Sequence, residues 1–288
     1  MADRISGART GAIGVFACNL ALLAAVCSPA EAADASAWDG SARAAARLIA
    51  AGPSKAAPGD ALRAGIEIRL GTGWKTYWRY AGDSGVPPRF RFDRSDNVAD
   101  VAVLFPAPHA FNDEGGDSIG YKDGVIFPLR VVPRDAAKPV LLRLDLDYAI
   151  CSNLCVPVTA KVELPLPGEG GKDAALAASE ARVPKAVALG EAGALSIRAI
   201  QREDGGARPR IVVDVAAPAD AKIALFAEGP TPDWALPIPA PVSGAPAGLR
   251  RFAFDLDGLP PGASPKGATL RLTAVSDEAA IEVTSTLD

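Results

Sequence analysis

Residues 142–164 read LRLDLDYAICSNLCVPVTAKVEL, and this stretch decides the fold. Leu142, Leu144, Leu146, Tyr148 and Ile150 alternate with Arg143, Asp145 and Asp147. Beyond the cysteines, Val156, Val158, Ala160, Val162 and Leu164 alternate with Thr159, Lys161 and Glu163. Successive side chains of a strand point to opposite faces, so an apolar period of two marks a strand with one buried face. Two such runs joined by Ser152-Asn153-Leu154 predict a β-hairpin with a three-residue connection, and Asn153 is suited to a left-handed conformation there. Cys151 and Cys155 stand at the two ends of that connection. Residues facing each other across antiparallel strands lie about 4.5–5.5 Å apart at Cα, within reach of a disulfide.

The same pattern extends outward in both directions. Leu62, Ala64, Ile66, Ile68 and Leu70 alternate with polar or small neighbours, and Gly71-Thr72-Gly73 turns the chain into Trp74-Lys75-Thr76-Tyr77-Trp78. Ala45–Ala51, Val98–Phe105 and Val125–Val132 are further strand candidates. Residues 168–193 break the pattern. Pro167-Gly168-Glu169-Gly170-Gly171 reads as a linker, and Asp173 is placed to cap a short Ala-rich helix ending near Arg182. Strand candidates then resume at Leu195–Ile200, Arg210–Val215, Ile223–Phe226, Leu249–Asp255, Thr269–Val275 and Ala280–Thr284, with Pro and Gly turns between them. The expectation is an all-β chain with two β-sandwich domains in tandem, residues 33–167 and 194–288.

Composition narrows the function. Of 288 residues, 49% are hydrophobic and 22% charged, which suits a folded globular chain. Thirty Lys and Arg against 34 Asp and Glu give a net charge of −4, too little positive charge to neutralise a phosphate backbone, so nucleic acid is not an expected partner. His109 is the single histidine, which excludes multi-histidine metal sites and argues against a Ser-His-Asp triad. Arg4 and Arg9, the apolar stretch Gly11 to Cys27 and the small-residue site Ala30-Glu31-Ala32 predict a secretory signal peptide over residues 1–32. The apolar stretch is short for an uncleaved membrane anchor. Cys18 and Cys27 would leave with the signal, so the exported chain would keep only Cys151 and Cys155, in a compartment that permits disulfides.

Three readings of that pair are open. A structural staple across a loop of about five residues removes on the order of 2 kcal/mol of unfolded-state entropy, little for a hairpin already closed by its strands. Two thiolates can hold Cu(I), which would make the chain a copper-tolerance protein. Thiol–disulfide exchange needs an exposed sulfur with a resolving sulfur beside it, and a hairpin tip offers both.

Four segments carry a resemblance: Gly73-Trp74-Lys75-Thr76-Tyr77-Trp78-Arg79, Gly85-Val86-Pro87-Pro88, Ile119-Gly120-Tyr121-Lys122-Asp123-Gly124, and Tyr148-Ala149-Ile150-Cys151-Ser152-Asn153-Leu154-Cys155-Val156-Pro157. Over roughly residues 40–166 the chain resembles the periplasmic N-terminal domain of the thiol:disulfide interchange protein DsbD, and more closely the related ScsB (suppressor of copper sensitivity) proteins. The resemblance implies immunoglobulin-like sandwiches and a periplasmic protein that passes electrons through its cysteine pair. A thioredoxin-like protein or membrane electron carrier would be the donor, and periplasmic disulfide proteins the acceptors. Cys155 matches the family cysteine that forms mixed disulfides and Cys151 the resolving one. No organic cofactor is called for, since the sulfurs carry the electrons. The family's shielding cap loop maps to residues 110–118, with Phe111 and Tyr121 as the expected shielding residues, although the paired cap aromatics of DsbD have no counterpart here. The membrane bundle and thioredoxin-like domain of DsbD also have no counterpart in this sequence, which implies a stand-alone form. Of the remaining polar residues, His109 reads as a loop residue, Asp145 and Asp147 as a solvated face, and Asp113, Glu114 and Asp117 as a polar loop open to a partner. The second sandwich shows no chemistry of its own and reads as a scaffold or docking module.

Overall fold

A computed structural model describes residues 33–52, 61–82, 85–113, 116–204 and 208–287. The predicted signal peptide and Glu114 lie outside the described residues. The first eleven strands are β1 (Asp39–Gly40), β2 (Ala44–Ala50), β3 (Leu62–Leu70), β4 (Lys75–Gly82), β5 (Arg89–Arg91), β6 (Val98–Val103), β7 (His109–Asp113), β8 (Gly116–Lys122), β9 (Gly124–Pro133), β10 (Val140–Cys151) and β11 (Cys155–Leu166). They form two sheets, ordered β1-β2-β3-β9-β6 and β11-β10-β4-β8-β7, with β5 also pairing β10. Leu48, Ile66, Phe127 and Leu129 from one sheet pack against Trp78, Leu142, Leu144 and Leu146 from the other, so the alternating leucines of β10 form the heart of the first core. That alternation stops at Tyr148. From there to Cys151 every residue of β10 is buried, because both faces of the strand are covered at its cysteine end.

The helix α1 (Asp173–Glu180) follows, then β12 (Lys185–Ala186), β13 (Ser196–Glu203), β14 (Arg210–Ala216), β15 (Ala224–Glu228), β16 (Ala240–Val242), β17 (Arg250–Asp255), β18 (Thr269–Val275) and β19 (Ala280–Thr286). These strands make a second pair of sheets, ordered β12-β19-β18-β15 and β13-β14-β17-β16, around Ile211, Val213, Trp234, Phe254, Leu270 and Leu272. The all-β, sandwich-type architecture expected from the alternation is therefore observed.

The segment read as a linker is anchored on the first sandwich. Leu176 is fully buried against Ile49 and Ala51. Gly65 of β3 makes room for it: a Cβ there would stand 2.7 Å from Leu176 Cδ2. Arg63 and Arg130 donate hydrogen bonds to the Glu180 carboxylate at 2.7–3.1 Å, and Ser179 donates to the Ile126 carbonyl at 2.5 Å. The expectation that Asp173 caps α1 is corrected. Lys172 is the N-cap residue, and Asp173 Oδ1 instead accepts from the Gly52 amide at 3.2 Å. That carboxylate is engaged by the end of β2's flanking segment, and the helix starts one residue earlier than the capping pattern suggests. Among the described residues no helix is long and apolar enough to cross a membrane.

Candidate functional site

Cys151 and Cys155 face each other at the end of the β10–β11 ladder and are joined by a disulfide, with their Cα atoms 4.1 Å apart. Their surroundings differ. Cys151 is 2% exposed and packs with Tyr77, Ala81 and Ala149, whereas Cys155 is exposed along with Ser152, Asn153 and Leu154. Asn153 is not left-handed. Among the described non-glycine residues only Asn97 and Asp123 have positive φ, and the turn is closed by the Ser152 amide donating to the Leu154 carbonyl at 3.2 Å. The sulfur presented to solvent is therefore Cys155, at the tip of a short turn beside the 69%-exposed Leu154. A thiol on another protein can line up on that sulfur and cannot reach its buried partner.

The strand next to β10 supplies the polar partner. Cys151 pairs with Lys75, and Ile150 with Thr76, which brings Tyr77 onto the same face as the sulfurs. The Tyr77 hydroxyl donates to Cys151 Sγ at 2.7 Å and lies 3.4 Å from Cys155 Sγ. Tyr77 is 2% exposed, and burial raises its phenol above the usual value, so it remains a proton donor through the physiological range. Gly85 lies over its ring; a Cβ at that position would come within 2.7 Å of Tyr77 Cδ1 and 2.5 Å of Ala81 Cβ.

The same sheet face continues onto β8 and β7. Lys75 pairs with Lys122, and Ser118, Lys122 and Phe111 share its side of the sheet. Lys75 is 7% exposed and donates from Nζ to Ser118 Oγ at 3.0 Å. Burial, and then Lys122, holds its ammonium below the ordinary lysine value. Phe111 stands over both lysines, its ring centre 5.4 Å from Lys75 Nζ and 4.8 Å from Lys122 Nζ. Chemically, the arrangement presents one attackable sulfur. Behind it, a buried leaving sulfur faces a phenol donor, and cations sit farther along the same face. A thiolate formed at Cys151 would be stabilised there by a hydrogen bond to a charged acceptor, the stronger kind.

Residues 45–167 match the family model described as "Thiol:disulfide interchange protein DsbD, N-terminal". The first sandwich is therefore similar to the N-terminal domain of DsbD. The crystal structure of the N-terminal periplasmic domain of ScsB from Proteus mirabilis shares the fold, with a TM-score of 0.69 at 21% sequence identity. The match covers 88% of this chain and 98% of that one, too much to be the first sandwich alone. No curated protein matches the chain.

Against this frame the remaining expected residues separate. The expected cap, residues 110–118, falls on the paired strands β7 and β8 at the edge of the cysteine-bearing sheet. Phe111 lies on the sulfur face of that hairpin. Tyr121 does not, which corrects its assignment as a shielding residue. It pairs with Thr76, so the pleat sends its ring into the sandwich core, where it packs edge-on to Phe127 at 5.5 Å and donates to the Pro106 carbonyl at 2.8 Å. His109 opens β7 and lines a groove of about 700 Å³ with Arg182 and Lys222; desolvation, then Arg182 and Lys122, keep its imidazole below the usual value. Asp145 and Asp147 share the sulfur face but lie six and four residues along β10 from Cys151, roughly 13–20 Å at strand rise. That exceeds the screening length of about 8–10 Å. Arg94 and Arg91 pair with them as well, so they exert little field on the sulfurs. Among the described residues no group of three or more His, Cys, Asp and Glu could hold a metal.

Tyr77 and Lys75 lie within Gly73–Arg79, a segment that carries the resemblance without giving either residue a role. Period-two logic places them on one face of β4, but which strand lies beside β4 is set by pairing between residues 74 apart in sequence.

Proposed function

We propose that this chain is a periplasmic thiol:disulfide interchange protein in which Cys155 exchanges with partner proteins and Cys151 resolves. The observation that carries the reading is the asymmetry of the pair: Cys155 is exposed, and Cys151 is buried with a phenol hydroxyl 2.7 Å from its sulfur. Recharging begins when a donor thiolate attacks Cys155 Sγ. The Cys151–Cys155 bond breaks, the donor–Cys155 mixed disulfide forms, and Cys151 leaves as a thiolate on the Tyr77 hydroxyl. A second donor thiol then releases Cys155, so two electrons have entered and the donor leaves as a disulfide. In the forward step the Cys155 thiolate attacks a substrate disulfide and displaces one substrate thiolate. Cys151 then attacks Cys155 Sγ, restoring the internal disulfide and freeing the substrate as a dithiol. The donor would be a thioredoxin-like protein or domain, or a membrane electron carrier, and the acceptors periplasmic disulfide proteins. Phe111, on the same face, is the shielding residue of this reading.

Capture in periplasmic extract tests it. Cys151→Ser removes the resolving sulfur, so mixed disulfides through Cys155 should accumulate and disappear on reduction. Cys155→Ser should trap nothing. Equal yields of adducts from the two variants, or none from either, would refute the exchange role.

A further inference from the structure

The ladder between β4 and β8 runs Lys75↔Lys122, Thr76↔Tyr121, Tyr77↔Gly120, and resumes only at Gly82↔Ser118. Trp78, Arg79, Tyr80 and Ala81 therefore stand opposite the single residue Ile119. This is a large bulge that begins immediately after the tyrosine that touches the sulfurs. Bulges bend a strand and re-aim its side chains, and they leave backbone groups outside the ladder, so the distortion needs partners to hold it.

Those partners come from the second sandwich. The Trp78 ring packs against Phe226 of β15, with centroids 5.8 Å apart. The Arg79 guanidinium lies over the Trp78 ring at 4.3 Å and donates to Glu228 of β15 at 2.7–3.2 Å. It also donates to Glu282 of β19. The Tyr80 hydroxyl donates to the Leu236 carbonyl at 2.5 Å. Three consecutive residues of the bulge are thus gripped by an aromatic contact, a two-carboxylate clamp and a hydrogen bond. Phe226, although carried by a second-sandwich strand, is fully buried within the first core.

We propose that the second sandwich is a positioning element of the redox centre: by gripping Trp78–Tyr80 it fixes the β4 bulge and so holds the Tyr77 hydroxyl against the sulfurs. Glu228, Glu282 and Tyr80 are positioning residues in this account; none touches the cysteines. The inference rests on the exchange role of the Cys151–Cys155 pair and adds a determinant of its poise. Loosening the grip withdraws the donor from the Cys151 thiolate, which destabilises the reduced form and favours the disulfide.

The test is the equilibrium of the purified full chain with glutathione, read in a double-mutant cycle. E228Q/E282Q removes both charges of the clamp. It should shift the equilibrium about fivefold toward the disulfide, the worth of one hydrogen bond. In a Tyr77→Phe background the same pair of substitutions should have no further effect, because the group they position is gone. Tyr80→Phe removes the bond to Leu236 and leaves the carboxylate clamp in place, so it should give a smaller shift, about twofold, that is likewise absent in the Tyr77→Phe background. It stands in where near-ultraviolet circular dichroism shows that the double variant has lost its fold. An unchanged equilibrium in a folded variant, or a shift of equal size with and without the Tyr77 hydroxyl, overturns the proposal. Failure of mixed-disulfide capture would remove the exchange role and leave this equilibrium dependence standing, so the two can fail separately.

Discussion

The two sandwiches are built alike and differ in what they bury. Each packs two largely antiparallel sheets around aliphatic and aromatic side chains, and each buries polar groups among them. In the second sandwich Asp214 of β14 is 3% exposed and takes both Nε and Nη2 of Arg251, its cross-strand neighbour, at 2.7 and 2.8 Å. That carboxylate is satisfied by a partner whose charge never changes, which makes it a structural group. In the first sandwich the buried Tyr77 hydroxyl is satisfied by sulfur atoms, whose charge changes whenever the disulfide opens. A buried polar group points to chemistry when its partner can change charge. The aromatic cluster supports the same lesson. Phe90, Phe105, Tyr121 and Phe127 meet edge-on with centroids 5.2–5.5 Å from Phe127, all within the core, and they contribute packing.

The sharpest way to break the comparison is to separate the two bodies. Phe226 belongs to the second sandwich by strand and to the first by packing. Phe226→Ala should cost about 3–5 kcal/mol, the range for truncating a buried aromatic. Because the lost contacts belong to the first core, denaturant unfolding followed by fluorescence and by circular dichroism should weaken together in one transition. Two separated transitions, with only the sheets of the second sandwich destabilised, would mean the sandwiches are energetically independent. Next in size is Asp214→Ala, expected to destabilise the chain because it removes the buried carboxylate that holds the Arg251 guanidinium by two hydrogen bonds. Its glutathione equilibrium should stay at the wild-type value. A redox shift from so remote a change would erase the distinction drawn between the two buried polar groups.

Much of this architecture was legible in one sequence because alternation is a local property. β3 has the bounds its leucines and isoleucines mark, and the β10–β11 hairpin, with its cysteines face to face, follows from a period of two on either side of a short connection. What escaped was non-local or cut against the pattern. β7 carries Ala110, Phe111 and Asn112 without alternation, so a strand at the sheet edge looked like a loop. Tyr121 looked like a loop-exit aromatic, yet a single step of register decides whether a side chain meets the sulfurs or the core. The bulge after Tyr77 and its grip by β15 and β19 depend on contacts up to 203 residues apart, which no window along the chain contains. Of the site, the sulfurs and their likeness to a known family could be read directly; the phenol that faces them could not.

A smaller effect separates the anchored segment from both sandwiches. Burial alone would raise the Glu180 carboxyl, but the hydrogen bonds and charges of Arg63 and Arg130 outweigh it and hold the folded value below the usual one. The sign follows: this contact stabilises fully above the unfolded glutamate value of about 4.3 and is lost as pH falls through the lower folded value. Glu180→Gln should cost about 2 kcal/mol at pH 7 and nothing at pH 2, so the two unfolding curves should converge in acid. Curves that stay parallel to pH 2 would show that the ion pairs do not anchor α1.

The smallest stability effect should accompany the most informative redox effect. Tyr77→Phe removes one oxygen and leaves the ring under Gly85, so unfolding should change by no more than about 1 kcal/mol. The Cys151 thiolate loses its donor, however, and its stabilisation relative to the disulfide should fall by about the worth of a hydrogen bond to a charged group, roughly tenfold or more in the glutathione equilibrium. Alkylation of Cys151 in a Cys155→Ser background should move to higher pH by about one unit for the same reason. Because the Tyr77 phenol stays protonated across this range, the Cys155→Ser profile with Tyr77 in place should carry a single thiol step with no second inflection below about pH 10. If Tyr77→Phe moved stability and left both redox readouts in place, Tyr77 would belong with Asp214 as packing, and the difference between the two sandwiches would reduce to the exposure of Cys155 alone.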